Sequence, residues 1–183
     1  MIKKSLQTLG LGLVLLSNSV IAQNEVIKLD FENNLNDVSG NGFDGTGGNT
    51  VSVLLGNGNN TFKTQATFAT QSAPLSVILG DFNADSKLDI ATANYISNSV
   101  SILLGNGDGK FKAATNFATG SGPKSVAMGD VNGDGFLDLA TANFGGGLSL
   151  LLGNGDGSFK APTSLTAGTK PFSVLMADVN GDG

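Results

Sequence analysis

Cysteine, histidine and arginine are all missing from these 183 residues. No disulfide can form, a His/Cys zinc site is excluded, and so is any His-based catalytic triad. Positive charge comes from ten lysines alone, against 15 acids, for a formal net charge of −5. Nucleic-acid recognition relies on clustered basic residues, so that class of partner is excluded. Helical periodicity is absent outside the first 22 residues. No other stretch is apolar for long enough to cross a membrane, which takes about 20 residues.

What is present is glycine, with 27 residues, together with many Asn, Ser and Thr, as expected where turns are frequent. These residues recur in phase. DFNADSKLD starts at Asp81, DVNGDGFLD at Asp130 and DVNGDG at Asp178, 49 and then 48 residues apart. LLGNG keeps the same beat from Leu54, Leu103 and Leu151, and Pro74, Pro123 and Pro171 each precede a short apolar run. Self-similarity at this period indicates stacked supersecondary units. Eight of the 15 acids fall in the three Asp-rich stretches, so the acidity is mostly local.

The N-terminus has the layout of a secretory signal peptide. Lys3 and Lys4 form the basic region, Leu6 to Leu16 the short apolar core, and Val20-Ile21-Ala22 a small-residue cleavage site with Gln23 as the mature start. Residues 1–22 are therefore expected to be removed, and the loss of two lysines takes the charge from −5 to −7. The mature protein is expected to be secreted or held at the cell surface, with no membrane span. Residues 23–49 read as a Gly/Asn-rich leader, and 50–183 as the repeats.

Within the best-preserved unit, Ser125–Met128 is a short apolar run that predicts a buried strand, followed by the Asp130–Asp138 loop. Leu137–Asn143 predicts a second strand and Leu148–Leu152 a third, with Phe144–Gly147 as the turn between them. GNGDG at Gly153–Gly157 suits a tight hairpin. Ser158–Leu165 predicts a weaker fourth strand anchored by Phe159. Four short antiparallel strands repeated at this spacing match one propeller blade.

The units SVAMGDVNGDGFLDLATANF…LSLLLGNGDGSF and SVILGDFNADSKLDIATANY…VSILLGNGDGKF closely resemble FG-GAP repeats, the VCBS-type repeats of bacterial surface proteins related to the α-subunit propeller of integrins. The resemblance covers about Thr50 to Gly183. It implies an all-β fold, a partial β-propeller of four-stranded blades, incomplete at about two to three. It also implies calcium loops between the first two strands of each blade. Upstream, LDFENNLNDVSGNGFDGTGGN at Leu29–Asn49 resembles the opening of a laminin-G-like or concanavalin-like jelly roll, although the remainder of such a sandwich does not follow. The alternative is a leader that only supplies a strand.

Oxygen donors at alternate positions of a tight loop are how a protein replaces the water shell of calcium. Asp130, Asn132, Asp134 and Asp138 stand at positions 1, 3, 5 and 9, with Gly133 and Gly135 allowing the sharp turns. The family's pattern adds the backbone carbonyl of position 7, Phe136. Asp81, Asn83, Asp85 and Asp89 match, with Lys87 at position 7, but Ala84 and Ser86 replace the glycines, so weaker binding is expected. Asp178, Asn180 and Asp182 form a third, partial set. An EF-hand or dockerin loop needs an acid at position 12, where Thr92 and Thr141 stand instead. Asp108 and Asp156 have no comparable donor set and read as hairpin chemistry.

These features predict a calcium-binding propeller segment acting as a binding or adhesion module toward an extracellular protein or glycan, and not an enzyme. The other reading is a catalytic or non-catalytic part of a secreted carbohydrate-active lyase or glycosidase. Paired carboxylates can hydrolyse glycosides, but nearly every carboxylate after Asp44 belongs to a repeated position. Too few units are present to close a propeller, so the remaining blades are expected from further sequence or from self-assembly.

Overall fold

The structure is a computed structural model that describes residues 25–28, 49–57 and 61–179, with the backbone path alone for 25–28. The signal peptide 1–22, the jelly-roll-like segment up to Gly48, and Asn180 and Asp182 lie outside the described residues. The described residues contain strands and no helix.

Strands β1 (Glu25–Lys28), β2 (Thr50–Leu55) and β3 (Ala66–Ala69) form one sheet in that order. The next sheet is β4 (Pro74–Gly80), β5 (Asp89–Asn94), β6 (Ser99–Leu103) and β7 (Thr115–Ala118). The last is β8 (Pro123–Gly129), β9 (Asp138–Asn143), β10 (Leu148–Leu151) and β11 (Thr163–Leu165). All neighbours are antiparallel, and the two four-stranded sheets run in simple meander order. The fold is all-β and propeller-like, with the sheets unclosed.

The first strand of each full unit lies against its counterpart, β4 beside β8. Pro74 and Pro123 open these strands, where the missing N–H costs no ladder bond, and a bulge follows each. The second strands, DIATAN and DLATAN, are buried at every residue. Sheets cover both faces of β5, and its small alanines allow close approach. Ala91 and Ala93 pack with Val126, Leu139 and Phe159 of the next unit, while Ile90 packs with Val51, Val53 and Val77 on the other side.

Buried polar groups in these strands are paired. Thr92 Oγ1 donates to Asn94 Oδ1, and Asn94 Nδ2 donates to Ser99 and Ser101 Oγ at 3.2 and 2.8 Å. Thr141, Asn143 and Ser149 repeat the arrangement. Among the described residues no buried side-chain nitrogen or oxygen lacks a partner, which a polar core requires.

The predicted fourth strand is shorter than its sequence suggests. Only Thr163–Leu165 pairs with β10, and the fourth strands β3 and β7 begin at the equivalent positions Ala66 and Thr115. Phe159 instead forms an isolated bridge to Gly153, and Lys160 N–H bonds to Leu152 O. Its ring turns inward between Phe82 and Phe117.

Candidate metal loops

Each full Asp loop joins the first strand to the second. Its tight path needs two residues at positive φ, Gly133 at 72° and Gly135 at 85°. The earlier loop takes the same path without glycine, with Ala84 at 57° and Ser86 at 64°. A side chain in this region costs about 1–2 kcal/mol. The earlier loop therefore holds this path at a backbone cost that the later loop avoids.

Positions 1, 3 and 5 are brought together around the backbone. Asp134 N–H is shared by Asp130 Oδ1 at 3.2 Å and Asn132 Oδ1 at 3.0 Å. Asp85 N–H is shared by Asp81 and Asn83 in the same way, at 3.1 and 3.2 Å. Asp130 also accepts from Gly133 and Gly135, each at 2.8 Å. The Gly135 bond leads the causes that hold its carboxyl below the usual range. Asp134 Oδ1 accepts from Phe136 N–H, and Asn132 Nδ2 donates to Asp134 Oδ2 at 2.9 Å.

Position 9 is placed differently. Asp89 and Asp138 are fully buried at the loop roots, and each carboxylate joins two N–H groups. Asp89 Oδ2 accepts from Phe82 at 2.9 Å and Oδ1 from Gly105 at 2.8 Å. Asp138 accepts from Val131 at 3.0 Å and Gly153 at 2.8 Å. Sequence reasoning missed this role. Its signal was the fixed pairing of each Asp loop with the LLGNG that follows.

Burial pushes the Asp89 carboxyl up, opposed by the Gly105 and Phe82 N–H bonds and helped by the nearby charges of Asp85 and Asp81. The three carboxylates of this loop are thus within electrostatic reach of one another, and a cation would reverse that repulsion. Among the described residues no three acidic side chains are gathered into a ready metal cluster. The donors suit a hard cation in kind, being carboxylate and amide oxygens on a turn already fixed by N–H bonds. Asp81, Asn83, Asp85 and Asp89, and Asp130, Asn132, Asp134 and Asp138, are the residues that would hold it.

Position 7 separates the loops further. Lys87 forms an ion pair with Asp85, Nζ to Oδ2 at 3.2 Å, so a cation there would compete with a lysine. Phe136 instead lays its ring against Gly155 of its own hairpin. Asp178 lies exposed at the start of the third loop. Asp108 Oδ1 caps Lys110 N–H at 3.0 Å and Asp156 Oδ1 caps Ser158 N–H at 2.8 Å, both ordinary turn bonds.

A family model described as FG-GAP-like repeat matches the chain three times, over residues 33–92, 81–141 and 130–183. The second and third matches begin at the first aspartate of a loop, so consecutive matches overlap on the loop and the second strand. No curated protein matches the chain significantly.

Proposed function

The chain belongs to the FG-GAP-like repeat family, whose repeats build propeller-like binding modules, and from that premise we propose that it is an exported, calcium-stabilised binding or adhesion module. The convergence of the Asp130 and Asn132 oxygens on one N–H carries the calcium part of this reading. Calcium would supply the positive charge that such a ring needs and would lock the link between first and second strands. The signal peptide motivates export, and the secreted or surface setting provides calcium at levels that weak oxygen sites can use. The ligand class is an extracellular protein or a glycan. The repeats account for the carboxylates by position, which favours binding over catalysis.

Calorimetric titration of the purified chain with calcium tests the metal part. Heat of binding that is lost on Asp134→Ala supports it, and no heat from a folded sample overturns it. Mass spectrometry of the exported protein should find Gln23 at its N-terminus; an intact Met1 would count against export with cleavage. Turnover of a polysaccharide, abolished by substitution of a carboxylate outside the repeated positions, would replace the binding reading with an enzymatic one.

A further inference from the structure

The ends of the second strands that point away from the Asp loops carry a row of aromatic rings. Tyr95 directly follows β5 and Phe144 directly follows β9, at equivalent places 49 residues apart. Their ring centroids are 6.4 Å apart, and Phe144 is 6.1 Å from Phe172, which follows Pro171 where the next repeat opens. Both contacts are edge-to-face, the arrangement that the charge distribution of such rings favours. Gly122 makes the close spacing possible, since a Cβ there would come within 2.9 Å of the Tyr95 ring. Its N–H donates to Asn98 Oδ1 at 2.7 Å and its carbonyl accepts Phe144 N–H at 2.8 Å, which ties the turn of one unit to the turn of the next. Tyr95 and Phe144 are half-buried and Phe172 is exposed, so the row lies at the surface.

Two lysines place their ammonium groups on this row. Lys124 Nζ is 3.9 Å from the Phe172 ring centroid, 4.3 Å from that of Phe144 and 5.3 Å from that of Tyr95. Lys170 Nζ is 5.3 Å from the Phe144 centroid. Among the described residues neither lysine pairs with an acid, although acids outnumber lysines 15 to ten in the chain. An ammonium has three donors and no acceptor. The ring faces hold its charge and leave N–H groups for an anion. Lys170 is kept here at a cost. The connection into the first strand takes positive φ in each unit, at Ala73 (56°), Gly122 (65°) and Lys170 (55°). A side chain in that region costs about 1–2 kcal/mol.

We propose that this row binds an acidic polysaccharide, with sugar rings laid on Tyr95, Phe144 and Phe172 and a carboxylate or sulfate held by Lys124 and Lys170. The proposal rests on the binding-module reading above and names its ligand. Charge selects the acidic polymer, because the row fixes two unpaired cations on a protein of net charge −5. The surface suits a sugar in kind. A pyranose has an apolar C–H face and a polar rim, and the row is mostly aromatic with a few placed polar groups. The repeat suits a polymer. Tyr95 and Phe144 recur with the unit, so successive sugars meet successive rings, and weak contacts along one chain reinforce each other. An acidic peptide would use the lysines but has no regular flat face to match the rings. The row and the Asp loops lie at opposite ends of second strands six residues long, at about 3.3 Å per residue. Sugar binding at the row therefore needs no calcium ligand.

Calorimetry of the purified chain with polygalacturonate, dextran sulfate, their uncharged forms (methyl-esterified polygalacturonate and dextran) and polyglutamate tests this. At least one acidic polysaccharide should bind, more weakly as salt rises, and which one binds identifies the carboxylate or the sulfate. The uncharged polymers and polyglutamate should not bind. Lys124→Gln and Phe144→Leu should each weaken binding about tenfold. Lys170→Gly should weaken binding and yet raise Tm, since glycine relieves the backbone; damage to the fold cannot produce that combination. Binding undiminished in all three variants overturns the site, and so does loss confined to Asp134→Ala, which would move the ligand to the Asp loops. Equal binding of the uncharged polymers or of polyglutamate, or no binding of either acidic polysaccharide by the folded chain, overturns the ligand class. Cleavage of the polymer defeats the binding-module reading instead, with the three variants still deciding the row.

Discussion

Asp138 and Gly153 are bonded across 15 residues, Gly153 N–H to Asp138 Oδ1 at 2.8 Å, and the pair recurs as Asp89 with Gly105 at the same distance. The glycine is required by packing. A Cβ on Gly153 would run into Leu137 O, and one on Gly105 into Leu88 O. The aspartate therefore ties the end of the Asp loop to the hairpin that leaves the third strand.

Removing that tie should be costly. Asp138→Ala strands the N–H groups of Val131 and Gly153 and is expected to lose about 2–4 kcal/mol of folding stability. Asp138→Asn keeps an oxygen acceptor and should lose less, while Gly153→Ala should lose about 1–3 kcal/mol from overpacking. Urea unfolding measures all three, and an Asp138→Ala chain as stable as the parent would refute the assignment.

The earlier Asp loop holds recoverable strain. Ala84→Gly and Ser86→Gly should each stabilise the protein by roughly 0.5–1 kcal/mol, since relief of the left-handed conformation exceeds the extra chain entropy of glycine. In the later loop, Gly133→Ala meets no atom within 4 Å and isolates the backbone cost, about 1 kcal/mol with the opposite sign. Destabilisation by the two glycine substitutions would contradict the φ argument.

Calcium sensitivity should separate two aspartates that look alike in sequence. Saturating calcium at about 100 times the dissociation constant would add roughly 2.7 kcal/mol to the folded state, and a chelator should lower Tm accordingly. Asp134→Ala should remove most of that gain. Asp156→Ala should leave it nearly unchanged, because Asp156 only caps the Ser158 turn. Equal effects from the two substitutions in a Tm series would sink the ranking.

Position 2 of the loops offers a paired test of stacking between units. Phe82 is buried, its ring 6.0 Å from that of Phe159, and its carbonyl accepts Gly157 N–H at 2.9 Å from the next unit. Its counterpart Val131 is 50% exposed. Phe82→Ala should cost about 3–5 kcal/mol, whereas Val131→Ala should stay within about 0.5 kcal/mol. Similar losses at both positions would show that the units do not stack in this way.

The sequence by itself determined the repeat, the position of the Asp loops, the strands flanking them and the hairpin glycines. These are local matters. A turn at positive φ selects Gly133 and Gly155 wherever the chain goes next, and alternation in DLATAN marks a strand before any partner is known. Only tertiary structure decided what the position-9 acids touch, because Gly105 and Gly153 are brought to them by the folding of two further strands. It alone showed that Phe82 is buried under the hairpin of the next unit, against Phe159 and bonded to Gly157. It alone gave EVIK at Glu25–Lys28 the place of a second strand. A register is fixed by the hydrogen bonds of a neighbouring strand, which a sequence does not display.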